Sequence, residues 1–237
     1  MNVIDVAVVL LILCAGVVGL KRGVFKELVM TVGLLIVYIL AFKLKDPIAN
    51  WLSINLPFFN FGGDFYGATA LNILLYQAIA FIIMFALLMV VFNVILSITG
   101  VFEKVLKFTV ILGIPSKILG FIVGLIEGYI VMFMVLFVLN LPFLRVDVVE
   151  QSRLREPILN SSPILSNVAH NANNAISDIY KLEKNFMNNK NVDYFNNETV
   201  RILLKYNIVT REYIDKLEAS GKININICLL YTSDAAD

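Results

Sequence analysis

Histidine and tryptophan each occur once, as His170 and Trp51, and cysteine only twice, as Cys14 and Cys228, in 237 residues. Two cysteines give no disulfide framework. A lone histidine in an Asn-rich stretch leaves no H-E-x-x-H zinc site, and neither G-x-S-x-G nor a P-loop occurs. The chain is therefore expected to be no enzyme and to use no metal or cofactor. Charge is scarce as well: Asp, Glu, Lys and Arg make up 16% of the residues, against about a quarter in soluble domains. A net charge of +1 cannot supply the basic surface that nucleic acid requires, so that partner is excluded.

What fills the chain is apolar. Hydrophobic residues reach 59% and the mean hydropathy is +0.83. From Phe65 to Phe102 no charged residue interrupts 38 positions, whereas a helix rising about 1.5 Å per residue crosses about 30 Å of hydrocarbon in roughly 20 residues. The lipid bilayer is the implied partner. The fold class is an all-α integral membrane protein, a bundle of four transmembrane helices with an interfacial amphipathic helix and a polar, partly helical tail.

Charge gaps place the spans at about 3–20, 24–44, 68–98 and 117–141, within a membrane domain 1–145. The first two offer only 15 uncharged positions each and must borrow apolar flanks or snorkel Lys43 and Lys45 to the interface. Between the second and third spans, Trp51, Phe58, Phe59, Phe61, Phe65 and Tyr66 lie among prolines and glycines, as expected of chain at headgroup level. After the third, Phe102, Val105, Leu106 and Thr109 oppose Glu103, Lys104 and Lys107, which predicts a short interfacial helix ending near Pro115. No Lys or Arg precedes the first span and three follow it, which predicts a multi-pass protein with both termini outside the cytoplasm. The same lack of basic residues argues against a cleaved signal peptide, and Cys14 reads as apolar filling of a helix.

Gly120, Gly124 and Gly128 recur every fourth residue of the fourth span and form a stripe where another helix can approach closely. Glu127 lies about ten residues into that span, near the midplane, where an ionised acid costs about 2.5–3.5 kcal/mol on insertion scales. Gln77, at similar depth in the third span, or its neighbour Tyr76 is the expected partner of a protonated Glu127. Two readings stand, a tie that holds the bundle together or a step on an ion or proton path, and a single acid favours the tie. In the first turn Arg22 and Glu27 are placed to pair, and Gly23 permits the reversal.

Asn2-x-Ile4-Asp5 opening an apolar helix, Gly19 with Arg22-Gly23 and Glu27 at its end, and Ile118-Leu119-Gly120-x-x-x-Gly124-x-x-x-Gly128 together resemble the bacterial colicin V production protein family over about residues 1–145. The resemblance implies a four-span protein of the bacterial inner membrane, linked to production or export of a peptide toxin (bacteriocin) and to envelope maintenance. The glycine stripe and the helices of the tail favour a scaffold or accessory factor working with a membrane-protein partner or as a homo-oligomer. The alternative is a channel or transporter subunit using Glu127 and Gln77, and some relatives fuse such a domain to an extracytoplasmic serine protease. Ser116-Lys117 departs from an Asp-Arg pair common in the family, and Glu127 stands where many members carry a basic residue.

From Val146 to residue 227 the chain turns polar and Asn-rich. Asn160–Pro163 and Asn171–Asn174 read as helix breaks, Ala175–Phe186 as a short helix, and Glu198–Tyr206 with Thr210–Ala219 as a helical hairpin burying Leu203, Tyr206, Tyr213 and Leu217. Asn207–Tyr213 is weakly similar to bacterial C-terminal oligomerisation helices, a likeness that favours a cytoplasmic tail. Residues 228–237 resemble translated sequencing adapter and are set apart from fold reasoning.

Overall fold

The computed structural model describes residues 2–62, 65–98, 101–144, 147–162, 164–189 and 191–224, so the adapter-like end lies outside the described residues. Within them the chain is helical and contains no strand: α1 (Val3–Arg22), α2 (Val24–Leu44), α3 (Asp46–Asn55), α4 (Leu71–Ile98), α5 (Val101–Leu139), α6 (Asp147–Glu150), α7 (Arg155–Ser161), α8 (Leu165–Val168), α9 (His170–Asn189), α10 (Val192–Lys205) and α11 (Arg211–Ala219). Four stretches are long and apolar enough to cross a bilayer, at Val3–Arg22, Val24–Leu44, Leu71–Ile98 and Ile114–Leu139. Their exposed Leu, Ile and Val side chains suit lipid as solvent, and helices satisfy every backbone group internally. The protein is an all-α membrane protein.

Two compact units interleave along the sequence, one built from residues 1–44, 82–140 and 145–168, the other from 45–81, 141–144 and 169–237. The polar segment after residue 145, expected to be an appendage, contributes to both.

In the first unit α5 packs along α1 and α2. Asn2 caps α1 reciprocally with Asp5, each side chain accepting from the other end of the first turn. α1 ends at Gly23, whose φ of 77° only glycine adopts cheaply, and α2 begins at the next residue. Further along α2 an aromatic ladder meets α5: Tyr38 stands edge-on to Phe133 at 6.0 Å, and Phe42 to Phe137 at 6.2 Å. Phe92 of α4 fills the notch left by Gly33 of α2.

One expectation fails here. The helix predicted to end near Pro115 runs on through it, so that α5 is continuous from Val101 to Leu139. Proline removes one N–H and crowds the preceding turn, which ends helices in water. Apolar helices tolerate it because a break would strand more backbone groups than the proline does.

The second unit has its own core, in which Phe65, Leu71 and Ile73 pack with Ile179, Phe186, Phe195, Leu203, Tyr213 and Leu217. The aromatic segment before α4 therefore divides. Phe58, Phe61 and Phe65 join this core, while Trp51, Phe59 and Tyr66 stay exposed. Asn196 of α10 locks the entry to α4, accepting from Ala70 N at 3.1 Å and donating to Gly67 O at 3.0 Å. The two helices of the expected hairpin form as α10 and α11 with Leu203, Tyr213 and Leu217 buried, but α10 packs on α9 and α11 on α3, and Tyr206 is only half-buried, its hydroxyl drawn outward to Asp178. Asn171–Asn174, read as a break, lies inside α9, because Ala172, Ala175 and Ile176 bury on one face and outweigh the weak helix preference of asparagine.

Asp178 joins α9 to the end of α10, accepting from Lys181 Nζ and Tyr206 Oη, each at 2.7 Å. Those two bonds hold its carboxyl below the usual carboxylate range. A depressed native pKa contributes stability at neutral pH that is lost as pH falls through it. Amide exchange across α9 and α10 is therefore expected to quicken below about pH 4. Asp178→Asn should flatten that acid dependence, as read by hydrogen-exchange mass spectrometry.

Candidate functional site

The glycine stripe of α5 lies on α1. A Cβ added at Gly120 would meet Gly19 O and come within 2.9 Å of Gly23 C; at Gly124 it would come within 2.6 Å of Ala15 O, and at Gly128 within 2.7 Å of Ala15 Cβ and 3.0 Å of Ile12 Cα. Rising residue numbers on α5 meet falling ones on α1, so the helices are antiparallel and touch backbone to backbone. Gly16 and Gly19 are the reciprocal stripe on α1, and Gly19 is closed by Gly120 and Gly124.

This contact houses three charges. Arg22 Nη1 lies 3.4 Å from Glu27 Oε2 and 3.6 Å from Glu127 Oε2. Both carboxyl groups thus face the same guanidinium nitrogen. Glu27 is fully buried, and its Oε1 occupies the niche left by two missing side chains, 3.0 Å from where a Gly19 Cβ would sit and 3.1 Å from that of Gly124. Helix side chains lean toward the N-terminus, which tips Glu127 toward the α1–α2 turn and within the reach of Arg22. Ser116, also fully buried, accepts from Val24 N at 3.2 Å and so caps the start of α2 from a different helix.

Of the residues singled out in the sequence, Gly19, Arg22, Gly23, Glu27, Gly120, Gly124, Glu127 and Gly128 thus come together. Of the two residues expected to pair, Gln77 accepts from Lys45, whose ammonium also donates to Asp46 at 3.0 Å, and Glu127 lies against Arg22. Lys45, expected to snorkel, is turned inward, and burial pushes its ammonium below the usual lysine range against the opposing pull of Asp46. Asp5 sits at the other end of α1, buried, accepting from Ser152 Oγ at 2.6 Å and from Leu154 N at 3.3 Å. Ser152→Ala is expected to cost about 1.5–3 kcal/mol, the usual worth of a hydrogen bond to a charged group, read as a lower unfolding midpoint in detergent.

Thr31 and Ser152 were not singled out from sequence, and Ser116 only as a departure from the family pattern. Ser116 offers a retrospective signal, since it occupies the first position of the family's Asp-Arg pair. Ser152 is a single polar residue whose partner, Asp5, lies far along the chain, and Thr31 is a single buried hydroxyl within an apolar stretch.

The model of the family described as colicin V production protein matches residues 4–163. The chain belongs to the colicin V production protein family. That match covers every residue of the Arg22–Glu27–Glu127 cluster and both glycine stripes, and it stops before α8, so α9, α10 and α11 lie beyond it. YshB, an uncharacterized transmembrane protein of Bacillus subtilis (strain 168), is 28% identical over 173 residues, covering 69% of this chain and 93% of its own length. No solved structure matches the chain.

Proposed function

We propose that this member of the colicin V production family is a non-enzymatic scaffold or accessory factor of the bacterial inner membrane, serving toxin production or export and envelope maintenance. The observation that carries the reading is the placement of Glu127. Its carboxylate is closed into a backbone-tight helix contact and met by Arg22, as in a structural tie. A conducting path would need polar side chains of several spans to converge, and each has other business. Asn72 binds the backbone of Phe59 and Thr69, Asn93 binds Met89 O of its own helix, and Gln77 holds Lys45. The exposed apolar face of α4, with Leu87, Val90, Val91, Val94 and Ile95, fits lipid or an apolar partner helix, including a second copy of the chain.

The test is flux. In proteoliposomes the parent and Glu127→Gln should show equal, background-level conductance and solute uptake, while the parent gene restores peptide-toxin secretion to a colicin V production-deficient strain. Flux above background that falls with Glu127→Gln would overturn the scaffold reading. Labelling of single cysteines in the Lys104 region and after α11 would assign the compartments, with the cation balance favouring extracytoplasmic termini.

A further inference from the structure

Counting charge inside the α1–α2–α5 contact leaves a remainder. Arg22 brings one positive charge, Glu27 and Glu127 two negative ones. Among the described residues close by, Lys21 and Lys117 are exposed to solvent. Three oxygens in this contact are buried and accept no hydrogen bond: Glu27 Oε1, Glu127 Oε2 and Thr31 Oγ1. Glu27 and Thr31 are both more than nine-tenths buried. Thr31 follows Glu27 by one turn on the same face of α2. α2 and α5 both run antiparallel to α1 and so parallel to each other. With Gly23 against Gly120, Glu27 at the height of Gly124, and Tyr38 and Phe42 against Phe133 and Phe137, the register brings Thr31 to the height of Gly128. Orphaned acceptors and an uncompensated negative charge in a low-dielectric contact cost several kcal/mol together, and a single positive charge cancels both.

We propose that Glu27, Glu127 and Thr31, with Arg22 closing one side, form a binding site for one monovalent cation, either a proton from water or a sodium ion. Gly19 and Gly124 then have a role beyond close approach, because any side chain at either would occupy the place of the Glu27 carboxyl oxygen. As a proton site, one O–H joins the two carboxyl groups and the other carboxylate faces Arg22. As a sodium site, the carboxyl oxygens and the Thr31 hydroxyl supply the hard oxygen donors. The site is closed by backbone on the α1 side and is a fixed counter-charge rather than a step on a path, so it stands whether or not the scaffold reading does.

The experiment uses the full chain purified in detergent, with infrared spectra recorded at neutral pH and unfolding followed in sodium chloride against choline chloride at equal ionic strength. Occupation by a proton gives a protonated-carboxyl C=O band that is lost in both Glu27→Gln and Glu127→Gln, which separates it from any band of Asp5, and unfolding that is indifferent to sodium. Occupation by sodium gives a midpoint that rises with sodium in the parent, no such rise in Glu27→Gln, and at least a tenfold weaker sodium dependence in Thr31→Val. A parent with neither the band nor the sodium dependence overturns the proposal, as does either signal persisting unchanged in both glutamine variants. Should the glutamine variants not fold, the parent spectrum and Thr31→Val, which leaves every charge in place, still decide: the proposal falls if the parent lacks both signals, or if its only signal is a sodium dependence that Thr31→Val leaves unchanged.

Discussion

Gly120→Leu is expected to abolish most of the folded protein recovered from membranes. The new Cβ would fall on Gly19 O and within 2.9 Å of Gly23 C, and these are backbone atoms with no rotamer to yield. α1 and α5 would have to separate over the whole stripe, opening the Glu27 niche as they part. Overpacking a core costs about 1–3 kcal/mol, occasionally more; here, with backbone on both sides, about 3 kcal/mol or more is expected, read as a collapsed unfolding midpoint in detergent. Gly62→Ala is the matched control, since a Cβ there meets nothing within 4 Å, and it should shift stability by no more than about 0.5 kcal/mol. Equal tolerance of the two substitutions would mean that the helices do not touch where described.

Arg22→Met is expected to be among the most damaging changes of a polar side chain. It keeps an apolar stem at the end of α1 and removes the cation facing both Glu27 and Glu127. Removing one partner of a fully buried pair costs about 3–5 kcal/mol, and the one-third exposure of Arg22 lowers the expectation to about 2 kcal/mol. The diagnostic result is the rescue. Adding Glu127→Gln removes the carboxylate left unmatched, so the double variant should regain at least half of the lost stability. Additive losses in the double variant would show that Arg22 and Glu127 do not act on each other.

Much of this was legible in the residues. A 38-residue gap in charge has one comfortable explanation, and glycines at every fourth position can only line one face of a helix, so both the membrane and the α5 stripe could be read before any coordinates. The partner of Glu127 could not, for a reason of geometry. Depth counted along a span places a Cα, but Glu127 leans back one turn and Arg22 reaches several ångströms inward, so the two meet although their backbones sit at different heights. Lys45 failed for the same reason in reverse: a long side chain beside a span can turn inward when an acceptor such as Gln77 is waiting, and linear sequence does not say which way it turns. Pro115 and the Asn171–Asn174 cluster misled because local preference was weighed without the environment, hydrocarbon in one case and a buried alanine face in the other. The bond from Ser152 to Asp5 spans 147 positions and leaves no local signature.

The antiparallel backbone contact of α1 with α5 carries the glycine stripes, the charged cluster and the cation site alike. Cysteine cross-linking in native membranes tests it directly, with Ala15→Cys paired with Gly128→Cys in a chain lacking Cys14 and Cys228. A Cβ at Gly128 lies 2.7 Å from Ala15 Cβ, and a disulfide needs a Cβ separation of about 3.8 Å, so a shift of about an ångström closes the bond. Rapid intramolecular disulfide formation under mild oxidation is the predicted result, with none for Ala15→Cys paired with Ile126→Cys, whose exposed side chain points away from the contact. No cross-link at Gly128, or one of equal rate at Ile126, would contradict it.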